Sequence, residues 1–336
     1  MVNIKDIARQ AGMSPATISR VVNGKANVNS EKRERILKLI EETGYVPNQA
    51  ARSMVLRRSF TVGIIVADTF NLFQRQLFSI IERHLDSLGY QTMFFFVKFD
   101  GTSEEACLAR LKAVKPDGLI MIHEIMTPEF YDYLKLSRLP LVTVTFSRPG
   151  VYSIHVDEET AAFEAVSHLI NLGHRKIKMI STNSLSFGQQ RAEGFFRALE
   201  KAGIARNEKE QLVTVGHYNA EFGLYGMREL LLRSRDFSAL FAATDELAIG
   251  AMRALKDEGF RIPEDVSIVG FDDIEIASYM IPRLTSIRQP LSEIGEQAVS
   301  SLHKQISGKY LGGADITASY RLIIRESTAL YSGQDV

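Results

Sequence analysis

Cysteine is almost missing from this chain: Cys107 is the only one in 336 residues. One thiol closes no internal disulfide and builds no thiolate cage for a metal, and the composition fits a reducing compartment. Long apolar runs are missing as well. Nowhere do eighteen apolar residues follow one another, stretches such as "QTMFFFV" are strand-sized, and the amino terminus shows no apolar signal segment. The expectation is a cytoplasmic protein with no membrane span.

Catalytic signatures are lacking too. Neither GxxxxGK[ST] nor GxGxxG occurs, which removes support for nucleotide hydrolysis and dinucleotide binding, and no GxSxG elbow is present. The seven histidines are scattered. The nearest pair, His168 and His174 in "SHLINLGH", straddles a helix end without sharing a face, which favours packing and capping over metal binding. Asp272 and Asp273 adjoin at a strand end, where neighbouring side chains diverge, so they make a poor acid/base pair. No catalytic residue, metal or cofactor is expected.

Net charge is zero, but it is unevenly placed. Residues 1–58 hold eleven Lys or Arg against five Asp or Glu, net +6, which leaves −6 on the rest. A basic end on an acidic body predicts that the end meets a polyanion. Hydrophobic periodicity changes near residue 60. Before it, Ile4, Ile7, Ala8 and Ala11, then Ile18, Val21 and Val22, follow helical spacing, and "EKRERILKLIEETG" forms a third helix ending at Gly44. After it, strands such as "TVGIIVA", "QTMFFFV", "GLIMI" and "LPLVTV" alternate with helical segments. A second series of the same rhythm starts near residue 159. Two doubly wound parallel-sheet lobes follow, with the default ligand site in the cleft beyond the strands' carboxyl ends.

In "DIARQAGMSPATISRVVN", Gly12 permits a tight turn, Ser14 caps the second helix and Pro15 suits its first turn. The apolar set packs inward against Ile36, Leu37 and Ile40. The opposite face carries Pro15, Ala16, Ser19, Arg20 and Asn23, with no acid among them, and suits the DNA major groove, where Arg20 can donate two hydrogen bonds to guanine. Next comes "VPNQAARSMVLRRSF", where Pro47 stops the preceding element and Asn48 can cap a helix too short to be stable alone.

"IKDIARQAGMSPATISRVVNG" and "RERILKLIEETGYVPNQAARSM", with "VSHLINLGHRKI", "FAATDELAIGAMRALKDEGFRIPEDVSIVGFDD" and "IPRLTSIRQP", resemble the lactose and galactose repressor (LacI/GalR) family of bacterial transcription regulators over about residues 3 to 330. The resemblance implies an all-α helix-turn-helix headpiece at 1–46, a hinge helix and linker at 47–59, and an α/β core at 60–336. That core is two doubly wound parallel-sheet lobes, like periplasmic binding proteins, with a first lobe of about 60–157 and 289–318 and a second of about 158–288 and 319–332. It implies a cytoplasmic repressor, a homodimer with a tetramer left open, on a pseudo-palindromic operator in double-stranded DNA, controlled by a small sugar-like effector.

By the family's pattern, Pro15, Ala16 and Arg20 read bases, and Thr17, Ser19, Asn23 and Tyr45 touch phosphates. In the hinge, Asn48 and Arg52 accompany Met54, which stands where relatives usually place a minor-groove leucine wedge. The effector set is Asp68, Phe73, Gln74, Thr145, Arg191, Tyr218, Thr244, Asp245, Phe271, Asp272 and Gln289. Thr145 replaces an aspartate common in relatives, and Thr244 an asparagine. Rival readings are a regulator controlled by a protein co-regulator, a solute-binding protein without DNA affinity, and a sugar-modifying or α/β-hydrolase enzyme.

Overall fold

The computed structural model describes residues 2–22, 28–45, 58–67, 71–98, 102–124, 127–182, 186–309 and 312–333. The chain divides into two units, 1–60 and 61–336. Expectations for Asn23, Asp68 and the hinge residues Asn48, Arg52 and Met54 fall outside the described residues.

In the first unit, α1 (Ile4–Ala11), α2 (Pro15–Val22) and α3 (Ser30–Thr43) surround a small core of Ile7, Ala8, Ala11, Ile18, Val21, Ile36 and Tyr45. Asn3 and Asp6 form a reciprocal capping box at the start of α1, and Gly12 ends it in the left-handed region at φ 66°. The Ser14 hydroxyl accepts from the Thr17 N–H at 3.2 Å, satisfying an otherwise orphaned donor at the start of α2. One expected core residue is displaced. Leu37 is exposed, and Leu39 and Ile40 lie against the core instead, because the inward stripe of α3 passes through Ile36, Leu39 and Ile40.

Among its described residues, the second unit holds two six-stranded sheets. The first is built from β1 (Thr61–Ala67), β2 (Gln91–Val97), β3 (Gly118–Met121), β4 (Leu141–Val144), β5 (Tyr152–His155) and β11 (Asp315–Thr317), in the order β11-β5-β4-β3-β1-β2. Every pair in it is parallel. The crossovers are α4 (Leu72–Ser87), α5 (Glu104–Val114) and α6 (Pro128–Ser137). The second sheet uses β6 (Ile177–Thr182), β7 (Leu212–Val215), β8 (Ala239–Ala242), β9 (Ser267–Asp272), β10 (Thr285–Arg288) and β12 (Arg321–Ile323), in the order β12-β10-β9-β8-β6-β7. Only β12 runs antiparallel to its neighbour. Its helices are α7 (Glu158–Asn171), α8 (Ser186–Lys201), the short α9 (Glu208–Gln211), α10 (Ala220–Arg233) and α11 (Asp245–Asp257).

Each sheet places its first strand beside the second and third, so each has a switch point where crossovers change face and open a crevice. The chain passes between sheets after β5, after β10 and after β11, and α12 (Leu291–Ile306) returns to pack on α4, β3, β4 and β5. Central strands are apolar on both faces because helices cover both. In β1, six of the seven residues are buried, which is why it reads as an unbroken apolar run. Cys107 is buried on α5, and burial pushes its thiol pKa up to about 11, which keeps it in the unreactive thiol form.

Candidate functional site

Between the lobes lies a cavity enclosing about 570 Å³ of space, its opening included. Its wall is assembled from strand ends. Asn71, Phe73 and Gln74 follow β1, Ile122, His123 and Glu124 follow β3, and Thr145 and Phe146 follow β4, while Glu158 opens α7 where the chain enters the second lobe. From the other lobe come Ser186, Phe187 and Arg191 after β6, Tyr218 after β7, Thr244 after β8, Asp272 at the end of β9 and Gln289 after β10. Parallel strands carry their carboxyl ends to one edge, so a single crevice gathers residues from far apart in sequence.

Arg191 is the centre of the site and is 3 % exposed. Its Nε donates to Glu158 Oε2 at 2.7 Å, its Nη1 donates to the Ala243 carbonyl, and its Nη2 stands 3.6 Å from Asp272 Oδ1. The guanidinium lies over Phe271 at 3.5 Å from the ring centroid and near Phe187 at 4.6 Å. Two aromatic faces, two hydrogen-bond acceptors and the nearby Asp272 carboxylate therefore hold one planar cation in a fixed orientation. Local packing brings Glu158 within reach: a Cβ at Gly194 on α8 would stand 2.1 Å from the Glu159 carbonyl oxygen, so only glycine lets α7 and α8 approach this closely.

Asp272 accepts from Gln289 Nε2 at 2.9 Å. Burial is the largest influence on its carboxyl and, with Glu158 and Glu246 nearby, outweighs the pull of Arg191 and the Gln289 hydrogen bond, lifting its pKa to about 7. Its neighbour Asp273 diverges and pairs with Arg288 at 2.5 Å and Arg325 at 2.6 Å. The Gln74 amide donates to the Tyr218 hydroxyl at 3.3 Å, a contact from one lobe to the other. The Oε1 atoms of Gln74 and Gln289 are buried in the wall without a hydrogen-bond partner.

Among the residues expected from sequence at the effector, Phe73, Gln74, Thr145, Arg191, Tyr218, Thr244, Asp272 and Gln289 line this cavity together. Thr145 sits at φ 76°, an unusual conformation for a β-branched residue, and its hydroxyl donates to the Ile122 carbonyl at 3.2 Å. Thr244 caps α11 and donates to the Tyr218 carbonyl. Two others stand behind the wall. Phe271 is fully buried beneath Arg191, and Asp245 is fully buried, accepting from the Ile274 N–H at 2.8 Å and the Ser286 hydroxyl at 2.6 Å. Desolvation, reinforced by Asp272 nearby, raises the Asp245 pKa well above the carboxylate range. Glu158 was not among the expected residues; nor were Asn71, His123, Glu124 and Phe187. The Arg191–Asp272 pair lies within the second lobe and does not bridge the two.

On the first unit, Pro15, Ala16 and Arg20 are exposed on α2, with Thr17 and Ser19 half-buried beside them. Tyr45 is 8 % exposed and belongs to the core, and burial raises the pKa of its hydroxyl. Among the described residues no helix is long and apolar enough to cross a membrane.

Residues 3–48 match the bacterial regulatory proteins of the lacI family, and residues 166–328 match a periplasmic binding protein-like domain. The ribose operon repressor of Haemophilus influenzae is 33 % identical over 98 % of this chain and 97 % of its own length. A Lac repressor dimer bound to operator and the anti-inducer ONPF superposes with a TM-score of 0.85 at 26 % identity, covering 98 % of this chain and 99 % of that one. A LacI-family transcriptional regulator from Enterococcus faecium with bound ribose gives a TM-score of 0.72 at 29 % identity, over 80 % of this chain and 99 % of its own.

Proposed function

This chain belongs to the lacI family of bacterial regulatory proteins, and on that premise we propose that it is a sequence-specific DNA-binding repressor whose operator affinity is set by a sugar or sugar derivative held between its lobes. The observation that carries this reading is the cavity itself. A buried, fully oriented guanidinium, a carboxylate and two unpartnered amide oxygens converge with aromatic side chains at the carboxyl ends of strands from both lobes. Such a wall pairs hydroxyl donors and acceptors and stacks a ring face.

At the DNA end, residues 1–46 act as the headpiece. Arg20 and Ala16 read base edges in the major groove with Pro15 beside them, while Thr17, Ser19 and Asn23 hold phosphates and Tyr45 contributes at most its hydroxyl rim. Residues 47–59 link it to the core, with Asn48, Arg52 and Met54 at the minor groove. The protein works as a cytoplasmic homodimer on a two-fold related operator and performs no catalysis. Effector binding shifts operator affinity only so far as the ligand binds the DNA-competent and DNA-released states unequally.

The test is operator selection from a random DNA library, followed by gel shifts across ionic strength and with sugars added. Binding is expected to be salt-dependent, and Arg20→Ala is expected to relax preference at one position by about 1–3 kcal/mol. Indifference to duplex DNA of every sequence at low ionic strength refutes the proposal. In parallel, a sugar that binds the cleft at a hundred times its Kd adds about 2.7 kcal/mol to stability, and that gain should vanish in Asp272→Ala.

A further inference from the structure

We propose that the cleft selects its effector by charge: it takes an uncharged or amine-bearing sugar and rejects the phosphorylated and carboxylated forms of that sugar. This deepens the reading of the cleft as a sugar site and rests on it. Among the described residues, the charged side chains lining the cavity are Glu124, Glu158 and Asp272 against Arg191, with His123 as the other basic side chain. Counting both Arg191 and His123 as cations still leaves one acid in excess. Immediately behind the wall stands Glu246, whose carboxylate accepts from the Leu72 N–H at 3.2 Å and feels the charge of Arg75; the fully buried Asp245 beside it adds little negative charge, because burial disfavours its ionised form. Arg288 and Arg325, close to the end of β9, are committed to Asp273.

Arg191 is the group that would have to receive an anion, and its charge is already matched. Glu158 occupies its Nε edge, the Ala243 carbonyl its Nη1, and Asp272 stands at its Nη2, while Phe187 and Phe271 lie by its flat sides. Bidentate capture of a phosphate or carboxylate needs a free guanidinium edge. Here an anion would have to displace a buried carboxylate and remain beside the other. The N–H groups left over suit a hydroxyl oxygen.

A second observation, independent of charge, points the same way. Above about pH 7, where Asp272 is ionised and only accepts, the Gln289 amide turns its Nε2 to it, so its Oε1 is left as a bare acceptor in the wall. Gln74 Oε1 is another. Buried acceptors without partners are satisfied by hydroxyl or ammonium donors and are repelled by anionic oxygens.

The test is a thermal-shift and calorimetric panel at pH 7.5 and constant ionic strength, using sets that differ only in charge. The sets are ribose with ribose 5-phosphate, and glucose and galactose each with their 2-amino, 6-phosphate and uronic acid forms. Within any set that binds, the neutral and amino members are expected to bind, with the anionic members about a hundredfold weaker. An anionic member that binds as tightly as its parent overturns the charge inference and leaves the sugar reading intact. Silence from every set overturns the sugar reading, and the charge inference falls with it. Glu158→Gln, which keeps the side-chain shape, is expected to narrow the discrimination against the anionic member about tenfold; an undiminished ratio in this variant also overturns the proposal.

Discussion

Replacing Asp272 by asparagine isolates the cost of keeping a carboxylate in the cleft. The folded protein holds the Asp272 proton up to about pH 7, against an ordinary value of 3.8, and burial is the main cause. A carboxyl whose pKa is raised on folding contributes stability that is complete below its unfolded value and is lost as pH climbs through the folded value. About three pH units at 1.36 kcal/mol each makes that loss about 4 kcal/mol between pH 4 and pH 8, a ceiling that water entering the cleft lowers toward about 2. Asparagine keeps an oxygen for the Gln289 donor and cannot ionise, so Asp272→Asn escapes the loss. Its removal of a partner from Arg191 is a separate offset. The slope with pH therefore carries the test, and the intercept does not. Melting temperatures of both proteins in buffers from pH 5 to 8.5 at equal ionic strength should diverge in favour of the variant, by about 2–4 °C over the range for about 2 kcal/mol in a chain of 336 residues. His168 and His174 titrate in both proteins and cancel in the difference, whereas Asp245, relieved of the Asp272 charge, ionises more readily in the variant and adds to the divergence in the same direction. Parallel melting curves across the range would refute the placement of an ionisable, poorly solvated carboxyl at residue 272.

Other perturbations test neighbouring parts of the argument. Arg191→Met strands Glu158 at 3 % exposure without its counter-charge and should cost about 3–5 kcal/mol in urea unfolding, most of it recovered by adding Glu158→Met; a loss under 1 kcal/mol would show that the pair is not buried as described. His174 is held neutral between the Ser238 and Ser267 hydroxyls, with burial depressing its pKa. Its stabilisation is complete above the ordinary value near 6.5 and is lost as pH falls below it, so His174→Gln should flatten the decline in melting temperature between pH 6.5 and 5. Gly194→Ala forces α7 from α8 and should cost about 1–3 kcal/mol while weakening sugar response; a fully stable, fully responsive variant would mean that the helix contact does not position Glu158.

How far these features can be read from the chain depends on whether the signal is local. β1 and β2 announce themselves as apolar runs, because covered parallel strands bury both faces. β5, "YSIH", is four residues long with two polar ones and carries no apolar run; the hydroxyl of its buried Ser153 is satisfied by Thr143 of the next strand and the Arg148 N–H, which donate to it. β11 and β12 are three-residue edge strands with half-exposed residues, which no alternation can reveal. Leu37 was placed in the headpiece core by counting apolar residues, although the helix phase set by Ile36, Leu39 and Ile40 turns it outward. Glu158 escaped for a different reason. In "VDEET" it reads as one of several acids complementing a helix amino terminus, and only the close crossing of α7 and α8 reveals it as the partner of Arg191.

Asp245 shows how a correct motif can be attached to the wrong task. "AATDE" lies at a strand end facing the cleft, so both polar residues invite a ligand role, yet only Thr244 reaches the wall. Asp245 turns inward and takes the Ile274 N–H and the Ser286 hydroxyl. Those two bonds clamp the segment after β9, where Asp272 and Asp273 adopt φ of 110° and 52°, conformations that L-residues reach only under constraint. Asp273 is clamped in turn by Arg288 and Arg325. One buried acid and two arginines thus hold a strained turn that presents the Asp272 carboxylate to the cavity beside Arg191. Losing the clamp would let the turn relax and carry Asp272 away from the guanidinium, so a residue behind the wall governs the geometry of one that forms it.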